Sequence, residues 1–347
     1  MTTEAAARPA VANGAPIIEV RGLVKRYGDL IAVNGIDLTV DQGEIFGILG
    51  PNGAGKTTTL EMIEGLRVPD AGTIRVAGID AVAEPTRLRK SIGAQLQTTA
   101  LFDYLSATEL IKLFCGLYGV DDSPARVDEL LEMVNLKEKR SAKVNELSGG
   151  QRQRLAITLS LVNRPVVAFL DEPTTGLDPA ARRSLWDTIR GVRDAGTTVV
   201  LTTHYMEEAE VLCDRIAIFD QGRLIACDTT QNLIRRLDKA ATIKATLLSG
   251  SLDDASLRAL PAATGASINV VSGGHPELSI ETTDVQQSLV GLLGLSGSQG
   301  VELGDLRSTQ ASLEDVFLDL TGRSYEQHDD KPAETEEKKG RRGRRAA

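Results

Sequence analysis

The sequence has few cysteine residues and few aromatic residues. Only three of its 347 residues are cysteine, Cys115, Cys213 and Cys227, and their wide spacing fits neither a disulfide framework nor a metal-ligand pattern. We therefore expect three reduced, partly buried thiols in a cytosolic protein. Aromatic residues make up 3% of the chain, so the core must be built mainly from Leu, Val, Ile and Ala.

The chain also lacks long apolar runs and an excess of basic residues. No stretch approaches the roughly 18–20 unbroken apolar residues of a membrane span, and residues 1–16 lack the apolar core of a secretory signal. Any membrane role is expected to act through a partner. Because the net charge is -9 and phosphate binding needs concentrated positive charge, no nucleic-acid partner is expected.

Composition divides the chain into two predicted folded units between two ends that lack apolar periodicity. Residues 1–16 can bury little and are expected to be disordered, as is the charged tail over 323–347. A large unit is expected over 17–238, with a helical subdomain at about 106–145. A small α+β unit is expected over 239–322.

The large unit alternates strand and helix patterns. Short, mostly apolar runs at 44–49, 166–170 and 198–201 are typical of strands buried on both faces of a parallel sheet. A helix is expected over 180–193, between the last two strands. Alternating segments that begin at Ile17 predict earlier strands joined by tight turns. This pattern therefore predicts an α/β fold for the large unit.

Two further regions carry helical or mixed patterns. In the helical subdomain, Leu110, Leu113 and Leu117 repeat at helical spacing. After residue 239, strand and helix patterns follow in the order of a split βαβ arrangement, and a last helix comes after them. The last helix has Gly322 as its predicted end and an apolar stripe made of Leu313, Val316, Phe317 and Leu320.

A glycine-rich segment follows the strand at 44–49. It fits the phosphate-loop pattern and precedes a predicted helix. Backbone N–H groups and the positive helix end can cradle phosphates, Lys56 can reach the β- and γ-phosphates, and Thr57 offers a hydroxyl to Mg²⁺. The residues expected to bind the nucleotide here are Gly50, Pro51, Asn52, Gly53, Ala54, Gly55, Lys56, Thr57 and Thr58.

Two carboxylates follow the apolar run at 166–170. A carboxylate at the carboxyl edge of a buried strand lies where doubly wound sheets bind ligands, so Asp171 can hold Mg²⁺ opposite Thr57. Glu172 is one residue beyond and suits a catalytic role as general base or water-orienting residue. Taken alone, the pair is equally consistent with a solvated turn.

The segment LSGGQRQR, residues 147–154, is specific enough to indicate a family. Ser148 can cap a helix that begins near Gly150, which would form a second anion-binding helix end. The segment resembles the signature of ABC ATPases at every position, and it precedes Asp171 at that family's spacing. This resemblance covers about 17–237. It implies a P-loop NTPase of ABC type, with a mixed-sheet core, an antiparallel β subdomain and a helical subdomain.

The resemblance implies a second copy at each nucleotide site. In the ABC family the signature completes the ATP pocket of the opposing subunit, and this chain has one phosphate loop and one signature. A head-to-tail homodimer enclosing two ATP molecules, each with Mg²⁺, is therefore implied. Asp178 matches the loop that crosses the dimer interface. The signature residues implied to contact the partner's ATP are Ser148, Gly149, Gly150 and Gln151.

Three more residues match ABC positions. Tyr27 matches the aromatic that stacks on adenine, and His204 matches the histidine that contacts the γ-phosphate. Gln97 matches the glutamine that touches Mg²⁺ and the attacking water, so it is implied both as a metal ligand and as a catalytic residue. Gln95 is a rival for that position, although the spacing from Ile92 favours Gln97.

Two functions are consistent with this motor, because many proteins share it. A subunit that drives a separate integral membrane permease is favoured over a soluble ABC ATPase of translation or DNA repair, since the chain has one cassette and no sustained heptads. Residues 203–210 and 312–322 resemble the daunorubicin/multidrug branch of bacterial export ATPases. The resemblance implies a peripheral ATPase at the cytoplasmic face of the membrane. It leaves open whether drug, lipid, antibiotic or glycan is exported.

Overall fold

The computed structural model describes residues 15–96, 101–237, 240–269 and 275–322. The expectations of disorder for 1–16 and 323–347 fall outside these ranges, apart from residues 15 and 16. Gln97 also lies outside the described residues. Within the described ranges no helix has both the length and the apolar character needed to cross a membrane.

The strands of the described residues are β1 (Ile18–Tyr27), β2 (Leu30–Val40), β3 (Ile45–Leu49), β4 (Ala71–Val76), β5 (Ile79–Asp80), β6 (Ile92–Gln95), β7 (Val167–Asp171), β8 (Thr198–Thr203), β9 (Arg215–Asp220), β10 (Arg223–Asp228), β11 (Ala241–Ser249), β12 (Ala263–Asn269), β13 (Glu277–Thr282) and β14 (Glu302–Gln310). Their α-helices are α1 (Lys56–Ile63), α2 (Pro85–Ser91), α3 (Ala107–Tyr118), α4 (Pro124–Met133), α5 (Gly149–Ser160), α6 (Pro179–Asp194), α7 (Met206–Leu212), α8 (Thr230–Arg235), α9 (Asp254–Arg258), α10 (Val285–Gln299) and α11 (Leu313–Thr321). Short 3₁₀ turns lie at Lys137–Lys139 and Val144–Glu146.

The central sheet is mixed and carries the candidate site at one edge. Its strand order is β10-β9-β3-β8-β7-β6, in which β10 is antiparallel to β9 and the other neighbours are parallel. Strands β3, β7 and β8 are buried along their whole length, as expected for strands covered on both faces. Because parallel strands end at the same edge of a sheet, the segments that follow these three strands come together there.

Apolar clusters on the two faces of the central sheet join it to its neighbours. On one face, α1 and the antiparallel sheet β2-β1-β4-β5 share a buried cluster with the central strands, including Ile36, Leu60, Phe46 and Phe169. On the other face, α3 to α6 bury their apolar sides. This architecture confirms the predicted fold class.

The inward face of α3 differs from the prediction. Leu110 is buried, but Leu113 and Leu117 are 39% and 73% exposed. Ile111 and Cys115 occupy the inward positions instead. Helical spacing alone was ambiguous here, because apolar residues lie on both sides of this helix and packing selected the side that faces α4 and α5. The three cysteines are free thiols, as expected.

The segment after residue 240 forms its own antiparallel sheet. The strand order is β12-β13-β11-β14, with α9 and α10 as the connections. This order confirms the predicted split βαβ arrangement. A separate apolar cluster fills it, including Ile243, Leu247, Leu278, Ile280 and Leu292.

Helix α11 follows this sheet in the chain but packs elsewhere. Leu313, Val316 and Phe317 are buried in the cluster on the α3-to-α6 face of the central sheet, where Leu233 also lies. Leu320 was predicted to share this stripe, but it is 42% exposed. The helix ends at Gly322, with φ +67, as predicted. A domain boundary at residue 239 stays a prediction.

Candidate active site

The loop from Gly50 to Gly55 connects β3 to α1 and packs closely against the backbone of neighbouring segments. Gly55 precedes α1 with φ +96, a left-handed conformation that favours glycine. A Cβ on Gly55 would lie 2.4 Å from the carbonyl oxygen of Ala32, and one on Gly50 would lie 2.4 Å from that of Phe219. Both positions therefore require glycine. The first N–H groups of α1, up to Thr58, point out of its N-terminus toward this loop, where they can bind an anion.

Lys56 is a buried cation inside this loop. Its Nζ donates to the carbonyl oxygens of Gly50 at 2.8 Å and Pro51 at 3.2 Å, and its side chain is 4% exposed. Nζ also lies 3.6 Å from Oε1 of Glu172. A phosphate group would be a stronger partner than the neutral carbonyls, because charge-assisted hydrogen bonds are the stronger kind. The position fits phosphate binding.

Thr57 and Asp171 place two oxygen donors side by side. The Thr57 hydroxyl donates to Oδ1 of Asp171 at 3.2 Å, and the Thr202 hydroxyl donates to the same oxygen. Burial raises the pKa of Asp171, although both hydroxyl groups oppose the shift. Hydroxyl and carboxylate oxygens are ligands that Mg²⁺ accepts, usually one or two from protein together with phosphates and water. The donor set therefore fits Mg²⁺.

Glu172 lies one residue past β7 in an unusual backbone conformation. Its φ is +47, a left-handed value that is strained for a residue other than glycine. Its N–H donates to the Thr202 hydroxyl at 3.0 Å, and the Thr175 hydroxyl donates to Oε2 of Glu172 at 3.2 Å. These bonds hold the carboxylate at the sheet edge, beside the phosphate loop.

The neighbours of Glu172 keep its carboxylate ionised. Burial alone would raise its pKa, but the side chain of His204, the charge of Lys56 and the Thr175 hydroxyl outweigh burial and lower the pKa to about 2. Nδ1 of His204 lies 3.4 Å from Oε2 of Glu172. An ionised carboxylate in this position can orient a water molecule or accept its proton.

Two residues of this cluster, Thr202 and Thr175, were not predicted. Thr202 ends up opposite Asp171 because β7 and β8 pair in parallel with that register. Thr175 reaches Glu172 because the chain turns back on itself, with the N–H of Thr175 donating to the carbonyl of Glu172 at 3.2 Å. The two predicted strands could have indicated Thr202, since a polar residue directly follows each of them, but the sequence does not specify their register.

Predicted residues outside the cluster lie at the surface. Tyr27 ends β1 and is 41% exposed, and its ring centroid is 5.4 Å from the Arg67 guanidinium and 5.8 Å from Nζ of Lys25. Ser148 caps α5, because its hydroxyl accepts the N–H of Gln151 at 3.3 Å and its own N–H donates to the Gln151 side chain at 2.9 Å. Helix α5 begins one residue earlier than expected, at Gly149.

Asp178 and the signature segment adjoin each other. Oδ1 of Asp178 accepts the N–H groups of Ala180 and Ala181, both at 3.0 Å, so the residue caps α6. A Cβ on Gly150 would lie 3.1 Å from that of Ala181. The predicted interface residues Ser148 and Asp178 therefore lie on adjacent exposed helix starts, and their roles toward a second copy stay predictions.

Comparison with known proteins finds the same kind of cassette. The family model described as ABC transporter matches residues 33–175. The chain is 42% identical to a daunorubicin resistance ATP-binding protein of Streptomyces coeruleorubidus, over 88% of this chain and 96% of that protein. It is 40% identical to a Nod factor export ATP-binding protein of Burkholderia orbicola, over 89% of this chain and 98% of that protein. It is 36% identical to a linearmycin resistance ATP-binding protein of Bacillus subtilis, over 89% and 99%.

Solved structures agree with the sequence comparisons. A dimeric bacterial ABC transporter cassette aligns with a TM-score of 0.55 and 30% identity, over 61% of this chain and 98% of that chain. An ABC transporter component from Clostridium perfringens aligns with a TM-score of 0.58 and 28% identity, over 65% and 95%. The alignment to each structure thus leaves more than a third of this chain unmatched.

Proposed function

Because this chain belongs to the ABC transporter family of ATP-binding subunits, we propose that it hydrolyses ATP to drive export through a separate membrane permease. The observation that carries the proposal is the cluster of Lys56, Asp171, Glu172 and His204 at one sheet edge. Relatives named for drug resistance and Nod factor export support an exporter of a drug, antibiotic, lipid or glycan. They do not favour a soluble ATPase of translation or DNA repair.

In this proposal the chain positions ATP through its phosphate loop. Tyr27 stacks on the adenine, and Lys56 exchanges its carbonyl partners for the β- and γ-phosphates. Thr57, Asp171 and Gln97 would hold Mg²⁺, which when bound neutralises charge on the phosphates. Gln97 enters this set on the resemblance alone.

Glu172 then becomes a better base as ATP binds. The cation of Lys56 and the ring of His204 now lower its pKa. A γ-phosphate that bonds to both side chains would draw them from the carboxylate, so the pKa of Glu172 would rise toward its ordinary value. Glu172 would orient the attacking water and accept its proton, while His204 contacts the phosphate.

A second copy and a permease complete the proposed assembly. The exposed starts of α5 and α6, at Ser148 and Asp178, would face the phosphate loop of the other copy in a head-to-tail homodimer. The helical subdomain would dock the permease, and the exposure of Phe102, Tyr104 and Leu117, which are 58%, 80% and 73% exposed, supports an apolar contact. The subunit would lie at the cytoplasmic face of the membrane.

Affinity purification from native membranes tests this proposal. A tagged full-length chain should recover a multi-span membrane protein together with ATPase activity. A variant carrying Tyr104→Asp and Leu117→Asp should lose the membrane protein but keep its ATPase activity. Val290→Asp, at a residue of α10 that is 67% exposed, serves as the control. Recovery of ribosomes or DNA without a membrane protein would reject export.

A further inference from the structure

Arg182 is a half-buried arginine of α6 to which the mechanism above gives no role. It is the fourth residue of that helix. Among the described residues its side chain makes no hydrogen bond and no ion pair, and its Nε is buried without an acceptor. Withdrawing a guanidinium from water without such partners is unfavourable unless another contact offsets the loss.

The contact that Arg182 does make is with an aromatic ring. Its guanidinium lies 4.1 Å from the ring centroid of Tyr205, within the range of a cation–π interaction. Tyr205 lies in the turn between β8 and α7, where its N–H donates to the Thr203 hydroxyl at 2.9 Å. The backbone of Tyr205 is therefore fixed within its own turn, while its ring is held from a different helix.

The Tyr205 ring in turn packs against the imidazole of His204. The two ring centroids are 4.0 Å apart, and the ring planes are inclined at 44°. Nδ1 of His204 is buried and lies 3.4 Å from a carboxylate oxygen of Glu172, without the geometry of a hydrogen bond. The second side-chain torsion of histidine has only a broad preference, so packing decides where the ring points. The Tyr205 ring supplies such packing.

Arg182 also belongs to the helical turn that begins at Asp178. Its N–H donates to the carbonyl oxygen of Asp178 at 2.9 Å, and the Asp178 side chain accepts two further N–H groups of the same turn. Because both the main chain and the side chain of Asp178 hold this turn, a displacement of Asp178 displaces Arg182 as well. Contacts thus run from Asp178 through Arg182 and Tyr205 to His204.

We propose that Arg182 and Tyr205 are positioning residues: the guanidinium holds the Tyr205 ring, and that ring directs the imidazole of His204 toward Glu172 and the γ-phosphate. The inference rests on the proposed function, because His204 contacts the phosphate only there. In the proposed dimer, the approach of the second copy to Asp178 reaches His204 through the first turn of α6.

Steady-state hydrolysis measures the effect on the reaction. Arg182→Gln removes the cation and Tyr205→Leu removes the ring, so each should lower kcat by about five- to fiftyfold while KM for ATP stays within about twofold. Tyr205→Phe keeps the ring face and should recover at least about half of the wild-type kcat. Arg183→Gln, at the exposed next position of α6, is the matched control. A wild-type kcat in folded Arg182→Gln, or equal losses in Tyr205→Phe and Tyr205→Leu, overturns the proposal.

A double-mutant comparison separates positioning from a general effect on the fold. If Arg182 and Tyr205 act through the imidazole, removing it leaves them nothing to direct. Adding Arg182→Gln to His204→Ala should therefore change the residual single-turnover rate by less than about twofold. A further loss as large as that in the wild-type background would mean that Arg182 acts elsewhere, which contradicts the proposal.

Nuclear magnetic resonance of labelled histidine side chains observes the ring itself without hydrolysis. The sequence has three histidines, and His204→Ala identifies the signals of His204. The Tyr205 ring lies close enough to shift these signals by its ring current. Arg182→Gln should move them, because Tyr205 loses its guanidinium contact, whereas Arg183→Gln should leave them in place. Unchanged His204 signals in Arg182→Gln overturn the proposal. Absence of ATP hydrolysis by the wild-type chain, with the expected spectra, would instead reject the proposed function and leave the ring contact established.

Discussion

Glu172 and Glu64 show how neighbours set the charge of a buried carboxyl group. Glu172 has Lys56 and His204 beside it, and its pKa is lowered to about 2. Glu64, at the end of α1, is 1% exposed, and neither of its oxygens has a hydrogen-bond partner among the described residues. Burial, with the charges of Asp171 and Glu61, raises its pKa to about 8. At neutral pH one side chain is charged and the other is mostly protonated.

Glu172→Gln should separate ATP binding from hydrolysis. The amide cannot accept a proton from water, so phosphate release should fall by about 10²- to 10⁴-fold. ATP affinity should persist, and an ATP-bound dimer should accumulate. Phosphate release and light scattering with MgATP measure the two effects, with Glu207→Gln as the control. Unimpaired turnover would reject the assigned role.

Glu64→Gln should change how stability depends on pH. Between about pH 4.5 and 8 the unfolded chain has released the Glu64 proton while the folded chain retains it, so this group lowers the free energy of unfolding as pH rises. The variant should therefore be no more stable at pH 4 but more stable at pH 8, by about 2–5 kcal/mol at 1.4 kcal/mol per pKa unit. Urea titrations at both pH values measure this difference. Glu138→Gln, at an exposed site, is the control. A gain that does not depend on pH would contradict the assignment.

At the scale of elements, several helices begin where functional segments begin. Helices α5 and α6 are capped by the residues directly before them, Ser148 and Asp178, so local sequence predicts these ends. Helix α11 also receives a remote cap. Its first N–H, at Leu313, donates at 2.6 Å to the carboxylate of Glu210 in α7. The last helix is thereby tied to the helix that follows His204.

Substitutions that weaken the packing of α11 or its hydrogen bond to α7 should lower the stability of the whole cassette. Phe317→Ala should lower the free energy of unfolding by about 3–5 kcal/mol, because it opens a cavity in the cluster that contains Leu233. Glu210→Ala should lower it by about 1 kcal/mol through loss of the cap. Urea midpoints measure both, with Glu207→Ala as the matched control in α7. A loss below about 1 kcal/mol in Phe317→Ala would argue against this packing.

At the scale of the molecule, the phosphate loop and the start of α5 differ in their exposure. Lys56 lies in the buried cluster at the sheet edge, whereas Ser148 is exposed at the start of α5 and caps only its own helix. A helix N-terminus can bind an anion, and this one faces outward. A composite site across two copies uses both features, which is the basis of the head-to-tail prediction.

Mixing two inactive variants tests the composite site. Lys56→Ala and Ser148→Arg should each abolish hydrolysis, since each damages both sites of a homodimer. A mixed dimer has one site with intact Lys56 and intact Ser148, so an equimolar mixture should regain about a quarter of the wild-type rate if the sites act independently. Phosphate release before and after mixing measures this. No recovery, with subunit exchange shown by light scattering of tagged copies, would place both residues in the same site within one copy.

Prediction from sequence succeeded where a local rule demands a residue type. The phosphate loop is an example, because only glycine fits Gly50 and Gly55 beside the carbonyls of Phe219 and Ala32. The structure also brings together four predicted side chains at the sheet edge, those of Lys56, Asp171, Glu172 and His204. Prediction failed for α3, where apolar residues occur on both sides of the helix and Leu117 is exposed.

The sequence by itself determined the alternation of strands and helices around the phosphate loop, the split βαβ arrangement and the candidate reactive side chains, because periodicity, capping and glycine requirements act over a few neighbouring residues. Only the tertiary structure decided that Thr202 pairs with Asp171, that Glu64 keeps its proton and that α11 packs beside α7 and α8. Each of these depends on the register and packing of segments far apart in the chain, which local patterns do not specify.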